Sequence, residues 1–161
     1  MNSFKEGLKG VAPKMDKTYY EEVVSRISQS FGTGETKDVT KFFPYNWMPF
    51  VMAALIGFRY KCRKELPSDP GKIKKDTFKF AQIFSGDAQL VNALLVYVIS
   101  IEGPEVLNDR PKVVKCIEEH ANGGLEILYE KINKGELLSI QGFLDFTNEF
   151  ISDTNESKRQ N

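Results

Sequence analysis

The stretch EEHANGGLEILYEKI, Glu118 to Ile132, sets the tightest limit on how this chain can fold. Val113, Ile117, Ala121, Gly124 and Leu128 follow one another at steps of three or four, the spacing of one helical face. This predicts a helix from Pro111 to about Asn133. Yet Gly123 and Gly124 stand side by side inside it, and two interior glycines cost a helix about 2 kcal/mol relative to two alanines. A stripe without side chains lets another backbone come close. The pair is therefore read as a helix-packing site, a tight crossing or a kink. Glycine-rich phosphate cradles sit between a strand and a helix. This pair follows a helical run instead, so nucleotide binding is not expected.

The other segments read as helices of the same bundle. From Asp16, the residues Tyr20, Val23, Val24, Ile27 and Phe31 fall at helical spacing, and Gly32 and Gly34 stop them. Asn46 reads as the cap of a helix from Trp47 to Lys64, with Pro49 in its first turn. That helix is apolar on most sides through Phe58 and should be central. LPSDPG, Leu66 to Gly71, closes it. Lys74 to Gly86 reads as irregular or a short helix, with a short strand near 77–84 as the alternative. Asp87 should cap a helix to Ile101, ended by Gly103 and Pro104, and a short turn from Pro104 to Asn108 follows. A last amphipathic helix runs from Ser139 to Ile151 on Ile140, Phe143, Phe146 and Phe150. The expected fold is all-α, a compact single-domain bundle of about five helices over 17–151. Residues 1–16 read as a flexible arm and the polar residues 152–161 as a disordered tail.

The charge pattern narrows the function classes. Lys+Arg and Asp+Glu balance at 22 each, so no overall field draws in nucleic acid or an anionic membrane. Residues 1–100 nevertheless hold 15 basic against 10 acidic residues, a net of +5, and residues 101–161 hold 7 against 12, a net of −5. The basic cluster is Arg59, Lys61, Arg63, Lys64, Lys72, Lys74 and Lys75. Its plain reading is a solvated loop and helix end; its sharper reading is a phosphate-contacting patch for duplex DNA. Cys62 and Cys116 belong to no CxxC pair and read as reduced, packed thiols. His120 is the only histidine. With Glu118 and Glu119 it does not make a zinc-binding HExxH helix, and no catalytic residue, metal ligand or cofactor is expected. Glu126 and Glu130 form a like-charged pair at i,i+4 that reads as solvated. The opening MNSFKEGLKG lacks the apolar run of a secretory signal. The apolar runs Phe50 to Phe58 and Leu95 to Ile101 are far shorter than a membrane span. A cytoplasmic protein without membrane contact is expected.

The aromatic string Phe42, Phe43, Tyr45, Trp47 and Phe50 is more distinctive. Core packing is its default reading. The alternative is a partly exposed surface in which Tyr45, Trp47 and Phe50 bind a partner, because Trp and Tyr favour interface centres. Self-pairing into a homodimer through this segment is a further reading.

Two motifs carry a family resemblance. Ala53-Ala54-Leu55-Ile56-Gly57-Phe58, followed by Arg59, Lys61 and Arg63, is similar to a helix of small bacterial proteins encoded beside DNA phosphorothioation (Dnd) clusters. Ala121-Asn122-Gly123-Gly124-Leu125-Glu126-Ile127-Leu128 resembles a second stretch of those proteins. Together the motifs cover roughly residues 36 to 133, and the insertion Phe42 to Pro49 departs from the pattern. The resemblance implies an accessory role in DNA modification or antiviral defence, and it transfers no active-site residue. The resulting expectation is a non-catalytic accessory protein that acts through protein–protein contact. Direct DNA binding through the basic cluster is the alternative.

Overall fold

The computed structural model describes residues 2–28, 41–137 and 139–159. Along them lie six helices and one two-stranded antiparallel sheet, so the fold is all-α as expected. Helix α1 is Asn2–Lys9 and strand β1 is Met15–Asp16. Helix α2 covers residues 17–27, where a π turn at Tyr20–Val24 joins two short α segments. Helix α3 is Trp47–Arg59, and strand β2, Ile73–Lys74, pairs with β1 in the register Met15 to Lys74 and Asp16 to Ile73. Helices α4, Phe80–Glu102, α5, Arg110–Asn133, and α6, Ile140–Arg159, follow. The glycine stop expected at Gly32 and Gly34 lies outside the described residues.

The centre of the molecule is the crossing of α3 on α5. A Cβ on Gly124 would overlap the carbonyl oxygen of Ala53, and one on Gly123 that of Cys62. From the other side, a Cβ on Gly57 would overlap the carbonyl oxygen of His120. The notch is therefore reciprocal: each helix offers a side-chain-free position to the other's backbone. Ala53 and Ala54 are fully buried in the same seam. The glycine pair thus serves a tight crossing, with no kink inside α5.

Because α5 is enclosed by its neighbours, its polar residues are buried with its apolar ones. Glu118, Glu119, His120 and Asn122 all lie in the interior. Buried polar groups need partners, and these residues hold the surrounding segments. Glu118 accepts a hydrogen bond from the Lys14 N–H at 2.8 Å, and the Asn122 side chain accepts from Asp16 N–H and donates to the Glu65 carbonyl, each at 3.2 Å. The Glu119 carbonyl accepts from the Lys64 N–H at 3.0 Å.

Several local details differ from the sequence reading. Helix α3 ends at Arg59, not Lys64, because Lys61 takes a left-handed conformation at φ 53°. Cys62 N–H then bonds the Gly57 carbonyl at 2.8 Å, the long-range bond of a Schellman ending. Asn46 does not cap α3 through its side chain; it accepts from the Ser28 hydroxyl at 2.6 Å instead. Helix α4 begins at Phe80, where Gln82 Oε1 accepts from Lys79 N–H, and continues across a kink at Asp87. Asp87 still caps the second part, accepting from Gln89 N–H at 2.8 Å. No strand lies in the region 77–84; the short strand is at Ile73–Lys74. By length and composition α4 could cross a membrane, a length the shorter apolar runs do not reveal. Its Phe80, Ile83, Val91, Leu94, Leu95 and Val98 are spent on the core.

The stretches read as arm and tail carry helix. Residues 2–9 are helical, Leu8 and Met15 are fully buried, and Phe80 N–H bonds the Val11 carbonyl at 2.9 Å. Helix α6 continues past Ile151 to Arg159. Its start is fixed by Ser139, whose hydroxyl accepts from Gly142 N–H at 3.0 Å.

The crossing yields a direct stability prediction. Gly124→Ala gains about 1 kcal/mol of helix propensity, but it drives a methyl into a backbone that cannot give way. A net loss of about 2–4 kcal/mol is expected in urea denaturation. Gly10→Ala, where nothing lies within 4 Å, should change stability by less than about 0.5 kcal/mol.

Candidate functional site

Helices α3, α4 and α6 enclose an open groove of about 640 Å³. Met48, Met52 and Leu55 of α3 form one wall, Phe146 and Phe150 of α6 another, and Leu90 of α4 lies across from them. Two unbranched, polarisable methionines suit a surface that adapts to its occupant. Asp87 is the only charged residue on the lining among the described residues.

The aromatic string divides between this groove and the core. Tyr45 is 47% exposed and stacks on Trp47 at 6.0 Å and 8°. Trp47 is 5% exposed; its indole lies on Gly86, where a Cβ would come within 2.5 Å of Cζ2. Both line the groove. Phe50 lies beneath it, fully buried and edge-on to Phe78 at 5.2 Å. Phe42 and Phe43 pack on Phe143 of α6. The groove brings Tyr45 and Trp47 to the surface and leaves Phe50 as support. Its other walls come from α4 and α6, and no local sequence signal joins those residues.

His120 belongs to the interior. Its ring stacks on Phe58 at 4.2 Å, and Phe58 stacks in turn on Tyr97 at 5.2 Å, so three helices are tied by one column of rings. Burial lowers its pKa, and Nδ1 lies 2.8 Å from the Cys116 carbonyl. Burial pushes the Cys116 thiol up to about 11, which disfavours the thiolate a nucleophile needs. Cys62 is raised too, again mainly by burial. Among the described residues no group of three or more His, Cys, Asp or Glu is placed to hold a metal.

Two members of the basic cluster are held in ion pairs. Arg63 bonds Glu119 and Glu102, each at 2.7 Å. Lys64 is paired with Glu126 and donates to the Tyr19 hydroxyl at 2.6 Å. Burial disfavours the Lys64 ammonium, but its bonds to Glu126 and Tyr19 outweigh this and raise its pKa. Glu126 is therefore one half of an ion pair, not a solvated member of a like-charged pair. Lys74 lies over the Tyr20 ring at 4.7 Å. Lys61, Lys72 and Lys75 are exposed, and Arg59 is half-buried.

A second, polar cleft of about 530 Å³ opens beside the first half of α5. Glu118 lies on its floor with Glu119 alongside, and Lys14, Glu65, Arg110 and Lys115 surround it. Glu118 is 6% exposed, and burial raises its pKa above the usual carboxylate range. The sequence excluded Glu118 from an HExxH zinc helix and assigned it no other role.

The molecule is thus an all-α protein with an apolar surface groove and a separate polar cleft. Residues 28–161 match the family described as DNA sulphur modification system-associated protein 4, and the chain belongs to that family. No curated protein and no solved structure matches it. The family places it with a DNA sulphur modification system. The match begins at Ser28, after α1, β1 and the whole of α2.

The buried Glu118 gives a signed pH prediction. Its folded pKa is raised, so the native state holds that proton more tightly than the unfolded chain does. The associated stability is present below about pH 4, the unfolded value, and is lost as pH rises through the folded pKa. Glu118→Gln keeps an oxygen for the Lys14 N–H and removes the buried charge. Its Tm should exceed that of the parent by a few degrees near pH 7, and thermal melts below about pH 4 should show the difference closing.

Proposed function

We propose that this chain is a non-catalytic accessory protein of a bacterial DNA sulphur modification system, with a role in defence against foreign DNA, working in the cytoplasm through contact with a protein partner. The observation that carries the reading is the apolar groove between α3, α4 and α6 in a chain of this family. Isolated exposed apolar residues are ordinary, whereas a contiguous apolar concavity of this size marks an interaction site. Tyr45 and the edge of Trp47 provide the aromatic contacts, and Met48, Met52 and Leu55 the adaptable floor. The interior positions of Cys116 and His120 support contact over chemistry. The direct DNA reading is weakened because Arg63 and Lys64 are engaged in internal ion pairs.

The test is pairwise co-purification with each tagged component of the modification system. Met52→Glu and Leu55→Glu place a charge in the groove at half-buried positions and should abolish recovery of one component, with the melting curve of the chain little changed. Trp47→Ala is a poor probe, since truncating a packed indole costs about 3–5 kcal/mol. Unchanged recovery with both groove variants, or loss on Lys61→Ser with Lys72→Ser instead, would overturn the reading.

A further inference from the structure

The polar cleft carries a feature that packing does not require. Glu118 Oε1 serves the Lys14 N–H, its second oxygen has no partner among the described residues, and the residue lines the cleft. Its neighbour Glu119 shows what a purely structural buried carboxylate looks like here: it bonds Arg63 at 2.7 Å and lies 3.7 Å from Lys115. A glutamine at 118 would satisfy the same backbone donor without a desolvated charge. The opposite charge is present but kept apart. Arg110 begins α5, with its guanidinium seated over Gly7 of α1, where a Cβ would overlap it. No carboxylate pairs with Arg110 among the described residues. Arg110 and Glu118 are eight residues apart on one helix, about 12 Å along its axis. The cleft's lining also includes the apolar residues Val11, Leu66, Pro111 and Val114.

The charge layout selects the ligand. A simple cation reaching Glu118 would have to pass Arg110 and Lys14, whereas Lys115 is already paired with Glu119. A simple anion drawn by those groups would meet the carboxylate on the floor. A molecule with both charges at its ends and a short apolar middle satisfies the whole cleft. We propose that this cleft binds an amphoteric small molecule of the ω-amino acid class, its ammonium on Glu118 and its carboxylate on Arg110. The site is independent of the apolar groove, and Val11 and Lys14 bring the segment after α1 into it.

The experiment is calorimetric titration of the full chain with 6-aminohexanoate, glycine, hexylamine and hexanoate. Saturable binding of 6-aminohexanoate, at least tenfold tighter than any of the other three, is expected. Glu118→Gln and Arg110→Gln should each weaken it at least tenfold. Glu118→Gln should do so without lowering Tm, so lost affinity cannot be laid to unfolding. Hexylamine or hexanoate binding as tightly as 6-aminohexanoate, no saturable binding of any probe, or affinity unaffected by Glu118→Gln would each overturn the proposal. None of these results bears on co-purification through the groove.

Discussion

Two backbones brought into direct contact organise this molecule. Gly57, Gly123 and Gly124 remove the side chains that would otherwise hold α3 and α5 apart, and each helix fills the other's notch with a carbonyl. Close approach of two helices narrows the choice of neighbours, since every side chain flanking the seam must point away from it and find cover elsewhere. Phe58 finds it between His120 and Tyr97. Lys64 follows at once from the end of α3, and its N–H reaches the Glu119 carbonyl. The helical cost of the glycine pair is thus set against an interface that a larger residue would separate.

A helix buried around its middle turns needs polar residues that act inward. Helix α5 uses Glu118 and Asn122 to fix the N-terminal strand and the loop after α3, and Glu119 to fix Arg63. Part of the apparent surface charge of the sequence is therefore structural. The basic cluster loses Arg63 and Lys64 to this purpose, and the acidic half of the chain supplies their partners in Glu102, Glu119 and Glu126. The +5 and −5 halves of the sequence are joined at these pairs.

The sequence made some of this legible and hid the rest for physical reasons. Periodicity found the helices because Phe143, Phe146 and Phe150, or Val113, Ile117 and Leu128, bury one face at a helical step. It also gave the meaning of Gly123 and Gly124, since a helix-breaking pair inside a strong periodic run has few uses. It misread α1, whose Leu8 is buried by tertiary contact that no local pattern announces. It placed the end of α3 too late, because a lysine, not a glycine, takes the left-handed ending. Nothing in the sequence assigned Glu118 a role, because the segments that cover it, at Lys14 and Glu65, lie far from it along the chain. The groove escaped notice for another reason: its walls lie almost a hundred residues apart in sequence. Only Tyr45 and Trp47, aromatic residues next to a helix start, gave any hint of it.

The family match opens at Ser28, yet the fold does not start there. Leu8, Met15, Tyr19, Val23 and Val24 all lie in the same interior as α3 and α5. Trimming the chain to its recognised portion would uncover the flank of α5, strand Glu118 and Asn122 without their backbone donors at Lys14 and Asp16, and leave β2 unpaired.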